Sequence, residues 1–148
     1  MPESAGTTRE VISHSSEETI AYGRKLAWEL SPPLVILLRG DLGSGKTTLV
    51  KGIAEGFEAA SAENVTSPTF TLVHEYRGPD ATLYHIDLYR LDSERELETL
   101  GLDDLLGPRN ILLIEWGEKF TRLLRERNAE IVLERAGEND RKIAFKAY

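Results

Sequence analysis

A three-layer α/β sandwich around a mixed, mainly parallel sheet is predicted for this chain by three observations. Residues 34–39 (Leu-Val-Ile-Leu-Leu-Arg) and 111–114 (Ile-Leu-Leu-Ile) are apolar runs without polar alternation, the pattern of strands buried on both faces. A glycine-rich segment leads from the first run straight into a helix-like stretch. Further strand-like segments alternate with helical ones up to the C-terminus. At 148 residues the chain has the size of one hydrophobic core, so a single domain over 1–148 is expected, with about the first seven residues fraying.

The elements follow in order. Ser15 and Glu18 have capping-box spacing, and Ile20, Gly23, Leu26, Ala27 and Leu30 recur at helical intervals, which predicts a helix over 16–30 ended by Ser31-Pro32-Pro33. The buried strand 34–39 comes next, then a helix over 47–57 and a loop over 64–69. Strands are expected at 71–76 and 82–89 and could pair as a hairpin, with Gly78-Pro79-Asp80 as the turn. A helix over 95–100, a loop over 101–108, the strand 111–114 and a helix over 118–127 complete the middle. Two alternating strands, 130–135 and 142–145, flank the turn Gly137-Glu138-Asn139-Asp140. The charge run at 94–98 reads as a solvated helix face.

Residues 40–47 read Gly-Asp-Leu-Gly-Ser-Gly-Lys-Thr and satisfy the phosphate-loop pattern G-x-x-x-x-G-K-[ST] between a buried strand and a helix. Gly43 and Gly45 can take backbone angles closed to other residues. The N–H groups from Leu42 through Ser44 to Thr48 can then turn toward phosphates at a helix N-terminus. Lys46 is placed to reach the β- and γ-phosphates and the Thr47 hydroxyl to ligate magnesium, with Thr48 next in line for the α-phosphate. ATP is favoured over GTP because no Asn-Lys-x-Asp segment surrounds any of the asparagines. A Leu-Ser-Gly-Gly-Gln transporter signature is also absent.

A phosphate loop needs a carboxylate near the metal, usually at the end of a buried strand. Glu115 follows the apolar run 111–114, and Asp87 ends His85-Ile86-Asp87. Either could be a surface acid, Asp87 with His85 and Arg90 as its partners. In a site, Asp87 could meet magnesium directly or through water, or orient the attacking water. Ser67-Pro68-Thr69 offers hydroxyls where nucleotide-sensing switch loops occur, though it also reads as an ordinary turn. Trp116 fits either core packing or a reporter of nucleotide state. His14, His74 and His85 lack ligand spacing and are read as structural.

The net charge of -7 argues against a chain that grips nucleic acid unaided, so no DNA contact is expected and any RNA contact is expected through a partner. With no cysteine there are no disulfides and no thiolate-bound zinc. No apolar run of about 18 residues and no secretory leader pattern is found, so a cytoplasmic protein without a membrane anchor is expected.

Four motifs now stand in order: residues 40–48, Ser67-Pro68-Thr69-Phe70-Thr71-Leu72-Val73, His85-Ile86-Asp87-Leu88-Tyr89-Arg90-Leu91, and Ile114-Glu115-Trp116. Together they closely resemble the TsaE (YjeE) family of small bacterial ATPases, over roughly residues 10 to 145. The resemblance implies a P-loop NTPase fold and magnesium-dependent binding and hydrolysis of ATP in complex with TsaB and TsaD. It further implies support for threonylcarbamoyladenosine modification of tRNA, which this chain meets only through the complex. It makes Lys46 the phosphate lysine, Thr47 and Glu115 magnesium ligands, and Asp87 a residue needed for hydrolysis. It makes 67–69 a switch-like loop with Ser67 and Thr69, Trp116 part of a second switch, and the neighbourhood of His14, Ser15 and Ser16 a nucleotide contact. Phe70 departs from the family, where many relatives have Tyr. The alternatives are a small-molecule kinase using the same loop, with Asp87 and Arg90 at the acceptor, and a nucleotide-binding adaptor without turnover. Against the kinase, there is no arginine-rich lid and little chain for a closed acceptor pocket.

Overall fold

The computed structural model describes residues 8–41, 43–68 and 72–148. The predicted fraying of the first seven residues, and the expectations placed on Leu42, Thr69 and Phe70, lie outside them. Among the described residues the order is β1 (Thr8–Ser13), α1 (Ser16–Ala27), β2 (Leu34–Arg39), α2 (Lys46–Gly56), β3 (Val73–Arg77), β4 (Thr82–Asp87), α3 (Glu94–Leu100), α4 (Leu102–Leu105), β5 (Asn110–Glu115), α5 (Thr121–Glu126), β6 (Ala129–Arg135) and β7 (Arg141–Ala147). The strands form one sheet in the order β1-β7-β6-β2-β5-β4-β3. The four central strands are parallel, and antiparallel neighbours extend the sheet at both edges. The predicted mixed sandwich is the observed fold.

Strand alternation sends the apolar side chains of the central strands to both faces. Ile36, Leu38, Leu83, Ile111 and Leu113 pack with Leu26 of α1 and Leu49, Val50 and Ile53 of α2. Val35, Leu37, Ile86, Leu112 and Ile114 pack on the other side with Leu97, Leu102 and Leu123 from α3, α4 and α5. That two-sided burial is why β2 and β5 read as unbroken apolar runs.

Several boundaries differ from expectation for identifiable reasons. The first helix stops at Ala27, and residues 28–30 tighten into bonds such as Glu29 N–H to Leu26 O (2.9 Å). Strand β4 ends at Asp87 because its Oδ1 accepts from Tyr89 N–H (2.9 Å), a local turn that takes the chain off the ladder. The loop expected at 101–108 contains the single helical turn α4, led by Gly101 at φ 74°. The helix expected over 118–127 is split into a 3₁₀ turn, Gly117–Lys119, and α5. Between them Phe120 goes extended (φ -116°, ψ 118°) and buries its ring. Strand β1 was not expected. The hairpin β3–β4 and the pair β6–β7 form as anticipated, and the acidic residues of α3 are exposed.

The two helices on the site-bearing face approach at Gly52. A Cβ there would lie 2.1 Å from the carbonyl oxygen of Ile20 and 2.8 Å from its carbon, so only glycine fits. In an exposed helix, alanine would be better than glycine by about 1 kcal/mol. Here Gly52→Ala is expected to reverse that sign and cost about 1–3 kcal/mol, since backbone must move apart to admit the methyl group. Urea unfolding of the two proteins checks this, and an unchanged or higher midpoint would contradict the packing described.

Candidate functional site

Parallel pairing gathers the site. Leu38, the penultimate residue of β2, is in register with Glu115, and Asp87 is in register with Glu115 on the other side. The ends of three adjacent strands therefore present the phosphate loop, Glu115 and Asp87 at one edge, where open α/β sheets bind ligands. A cleft of about 1060 Å³ opens there. Its size is at the upper end for small-molecule sites and sufficient for a nucleoside triphosphate.

The loop has the geometry its glycines allow. Gly43 and Gly45 stand at φ 81° and 104°, left-handed angles that other residues rarely adopt. Gly45 caps α2 with no side-chain bond, and Leu49 N–H to Gly45 O (2.9 Å) is an opening bond of the helix. The N–H groups of the first turn thus have no intrahelical partner, which makes this terminus an anion site. The Ser44 hydroxyl is buried without a hydrogen-bond partner among the described residues. Gly43, Gly45, Lys46, Thr47 and Thr48 all line the cleft.

Lys46 Nζ donates to Gly40 O (2.6 Å), lies 3.4 Å from Glu115 Oε1 and sits 5.3 Å above the centroid of the Trp116 ring. Glu115 and Asp87 are 5% and 6% exposed, which rules out the surface-acid reading of both. Burial pushes the Glu115 carboxyl up, but the hydrogen bond from His85 and the ammonium of Lys46 outweigh it. The group is held below the usual carboxylate range and is ionised at neutral pH. Two carboxylates and the Thr47 hydroxyl on one cleft are hard oxygen donors, the set that suits magnesium held jointly with phosphates. Among the described residues no group of three or more His, Asp or Glu side chains forms a metal cage by itself.

The remaining candidates divide. Ser67 lines the cleft and is exposed, while its predicted companions Leu42 and Thr69 lie outside the described residues. Trp116 lines the cleft at φ 65°, a left-handed angle costly for a bulky residue, with the Tyr89 ring tilted 58° against it at 5.2 Å. Ser15 is also in the wall, where its hydroxyl caps α1 by accepting from Glu18 N–H (3.0 Å).

Five residues of this cleft were not anticipated in it: Glu17, Thr19, Tyr89, Asn139 and Arg141. Arg141, from the start of β7, donates to Gly43 O (3.2 Å) across 98 residues of sequence. Glu17 and Thr19 come from α1, Tyr89 follows β4, and Asn139 lies in the turn before β7. No local pattern marks Arg141, because only the β6–β7 pairing brings it to the loop. His85, read as structural, is fully buried with Nε2 2.6 Å from Glu115 Oε2, in contact with a residue of the cleft.

His14 stands at the other end of the cleft, its Nδ1 2.9 Å from Asp140 Oδ1. The hydrogen bond to Asp140 and its charge raise the His14 pKa above the ordinary histidine value. The pair ties the β1–α1 junction to the β6–β7 turn. Its contribution is complete below the ordinary histidine range and is lost as pH rises through the raised value. In an NMR titration, Asp140→Asn is expected to move the His14 midpoint down, and an unmoved midpoint would refute the pairing.

The family model "Threonylcarbamoyl adenosine biosynthesis protein TsaE" matches residues 13–143. The tRNA threonylcarbamoyladenosine biosynthesis protein TsaE of Bacillus subtilis is 41% identical over 131 residues, covering 88% of this chain and 80% of that protein. Its counterpart in Aquifex aeolicus is 39% identical over 137 residues, covering 91% and 93%. The crystal structure of Bacillus subtilis YdiB superposes with a TM-score of 0.74 at 32% identity, covering 98% of this chain and 88% of that one. A family model spanning nearly the whole chain, relatives matched over most of their length and a shared fold lead to one conclusion: the chain belongs to the TsaE family.

Proposed function

We propose that this chain binds ATP with magnesium and hydrolyses it in support of threonylcarbamoyladenosine modification of tRNA, at the adenosine next to the anticodon, within an assembly with TsaB- and TsaD-like proteins. The observation that supports the reading best is the convergence of Lys46, Glu115 and Asp87 on a cleft floored by a left-handed glycine loop. The names of the relatives supply the pathway.

In this reading Lys46 turns its ammonium from Gly40 O to the β- and γ-phosphate oxygens, and the first-turn N–H groups of α2 hold the polyphosphate. Thr47 and Glu115 would hold magnesium, and Asp87 would contact it, directly or through water, or orient the attacking water. A magnesium ion held by these residues would supply positive charge against the phosphate oxygens. Trp116, packed against Lys46 and following Glu115 in sequence, is placed to feel the occupant of the site, as is the loop at Ser67. Contact with tRNA is assigned to the partners, since the chain carries a net charge of -7.

The test is phosphate release from ATP with and without purified TsaB and TsaD. Binding of ATP and stimulation by the partners are expected, and the absence of both would remove the proposal. Analysing the products for a phosphorylated acceptor separates hydrolysis from a small-molecule kinase, and persistence of bound ATP identifies an adaptor without turnover.

A further inference from the structure

We propose that His85 is a positioning residue for the metal site: its Nε2–H fixes one oxygen of Glu115 and so presents the other to the cleft. The inference rests on the nucleotide-and-magnesium reading above and deepens it.

The geometry carries the case. His85 and Asp87 lie on one face of β4, and Glu115 is in register with Asp87 on β5, so imidazole and carboxylate meet side by side across a parallel pair. Nε2 is 2.6 Å from Glu115 Oε2, whereas Lys46 Nζ takes the other oxygen, Oε1, at 3.4 Å. The two oxygens thus have different partners. A carboxylate oxygen can only accept, so the short contact requires the proton on Nε2. His85 Nδ1 is buried and has no hydrogen-bond partner among the described residues.

The consequence for Glu115 is orientational. A glutamate at a strand end has free side-chain torsions, and holding it in one rotamer costs entropy each time it must engage a ligand. His85 is fully buried on the rigid β4 ladder and cannot follow a moving carboxylate. With Oε2 held, Oε1 is the oxygen that faces Lys46 and the phosphate loop. A ligating carboxylate whose second oxygen is hydrogen-bonded in this way is worth roughly 10–100-fold in metal affinity or activity.

Two amides test the role. The Nε2 of Gln in His85→Gln reaches about as far as imidazole Nε2, whereas the amide in His85→Asn is one methylene too short. Both are neutral and polar, so a merely structural need for a polar group would treat them alike. Binding of a non-hydrolysable ATP analogue is measured by calorimetry across a magnesium titration and again in chelator. His85→Asn is expected to raise the half-saturating magnesium roughly 10–100-fold with metal-free binding unchanged. His85→Gln is expected to remain within a few-fold of the parent. Equal magnesium dependence in all three proteins would overturn the proposal while leaving nucleotide binding intact. A parent protein that binds no nucleotide would instead sink the functional reading. Should either variant fail to fold, ¹⁵N NMR of the unaltered protein decides: a proton on Nε2 supports the assignment and a bare Nε2 refutes it.

Discussion

Lys46→Ala is expected to lower ATP turnover on the order of 10²–10³-fold, the scale for removing one preorganised donor from developing phosphate charge. The Lys46 side chain is 10% exposed, so its ammonium acts in a site already stripped of most water, where a charged donor counts for more than at the surface. Its contacts with Gly40 O and Glu115 Oε1 place it over the loop and beside the carboxylate. Truncation therefore has two effects on the rest of the site. It removes the attraction for phosphate, and it leaves Glu115 with His85 as its one described partner at hydrogen-bond distance. Lys46→Arg should not rescue turnover, because the planar guanidinium cannot occupy the space between Gly40 O and the Trp116 ring that a compact ammonium fills. Steady-state phosphate release in the presence of the partner proteins measures the effect. Turnover within a few-fold of the parent would remove Lys46 from the site.

What could be read in advance follows from how local each signal is. The phosphate loop is a contiguous pattern flanked by a buried strand and a helix, and the chain folds there as the pattern implies. Asp87 and Glu115 were legible as strand-end acids because parallel strands buried on both faces have no other place for a charge. Strand β1 was not legible. Five of its six residues escape full burial, it lies at a sheet edge, and its register partner is β7, some 130 residues away. Arg141 and the His85–Glu115 bond were hidden for the same reason: each depends on strand register, which no local window contains. The break at Phe120 was also invisible, since burying that ring overrides the helical propensity of its neighbours.

Glu115→Gln separates the metal role from the packing role, because the substitution keeps the shape and removes the charge. Turnover should fall on the order of 10²–10³-fold, as for loss of a group that organises transition-state charge. Nucleotide binding in chelator should hold or tighten, because an ionised carboxylate at this point repels a polyphosphate and the amide does not. Magnesium should then add little affinity, whereas in the parent it converts that repulsion into a bridge. A variant that binds ATP in chelator more weakly than the parent would show that Glu115 shapes the loop rather than holding metal. Stability gives a second readout with a fixed sign. The Glu115 pKa is depressed in the folded chain, so its contribution is present above the ordinary carboxylate range and is lost as pH falls through the depressed value. The parent should therefore exceed Glu115→Gln in stability by more at about pH 7 than at about pH 4. Unfolding both proteins in urea at the two pH values tests this, and a gap that widens on acidification would contradict the His85 and Lys46 contacts as the source of the shift.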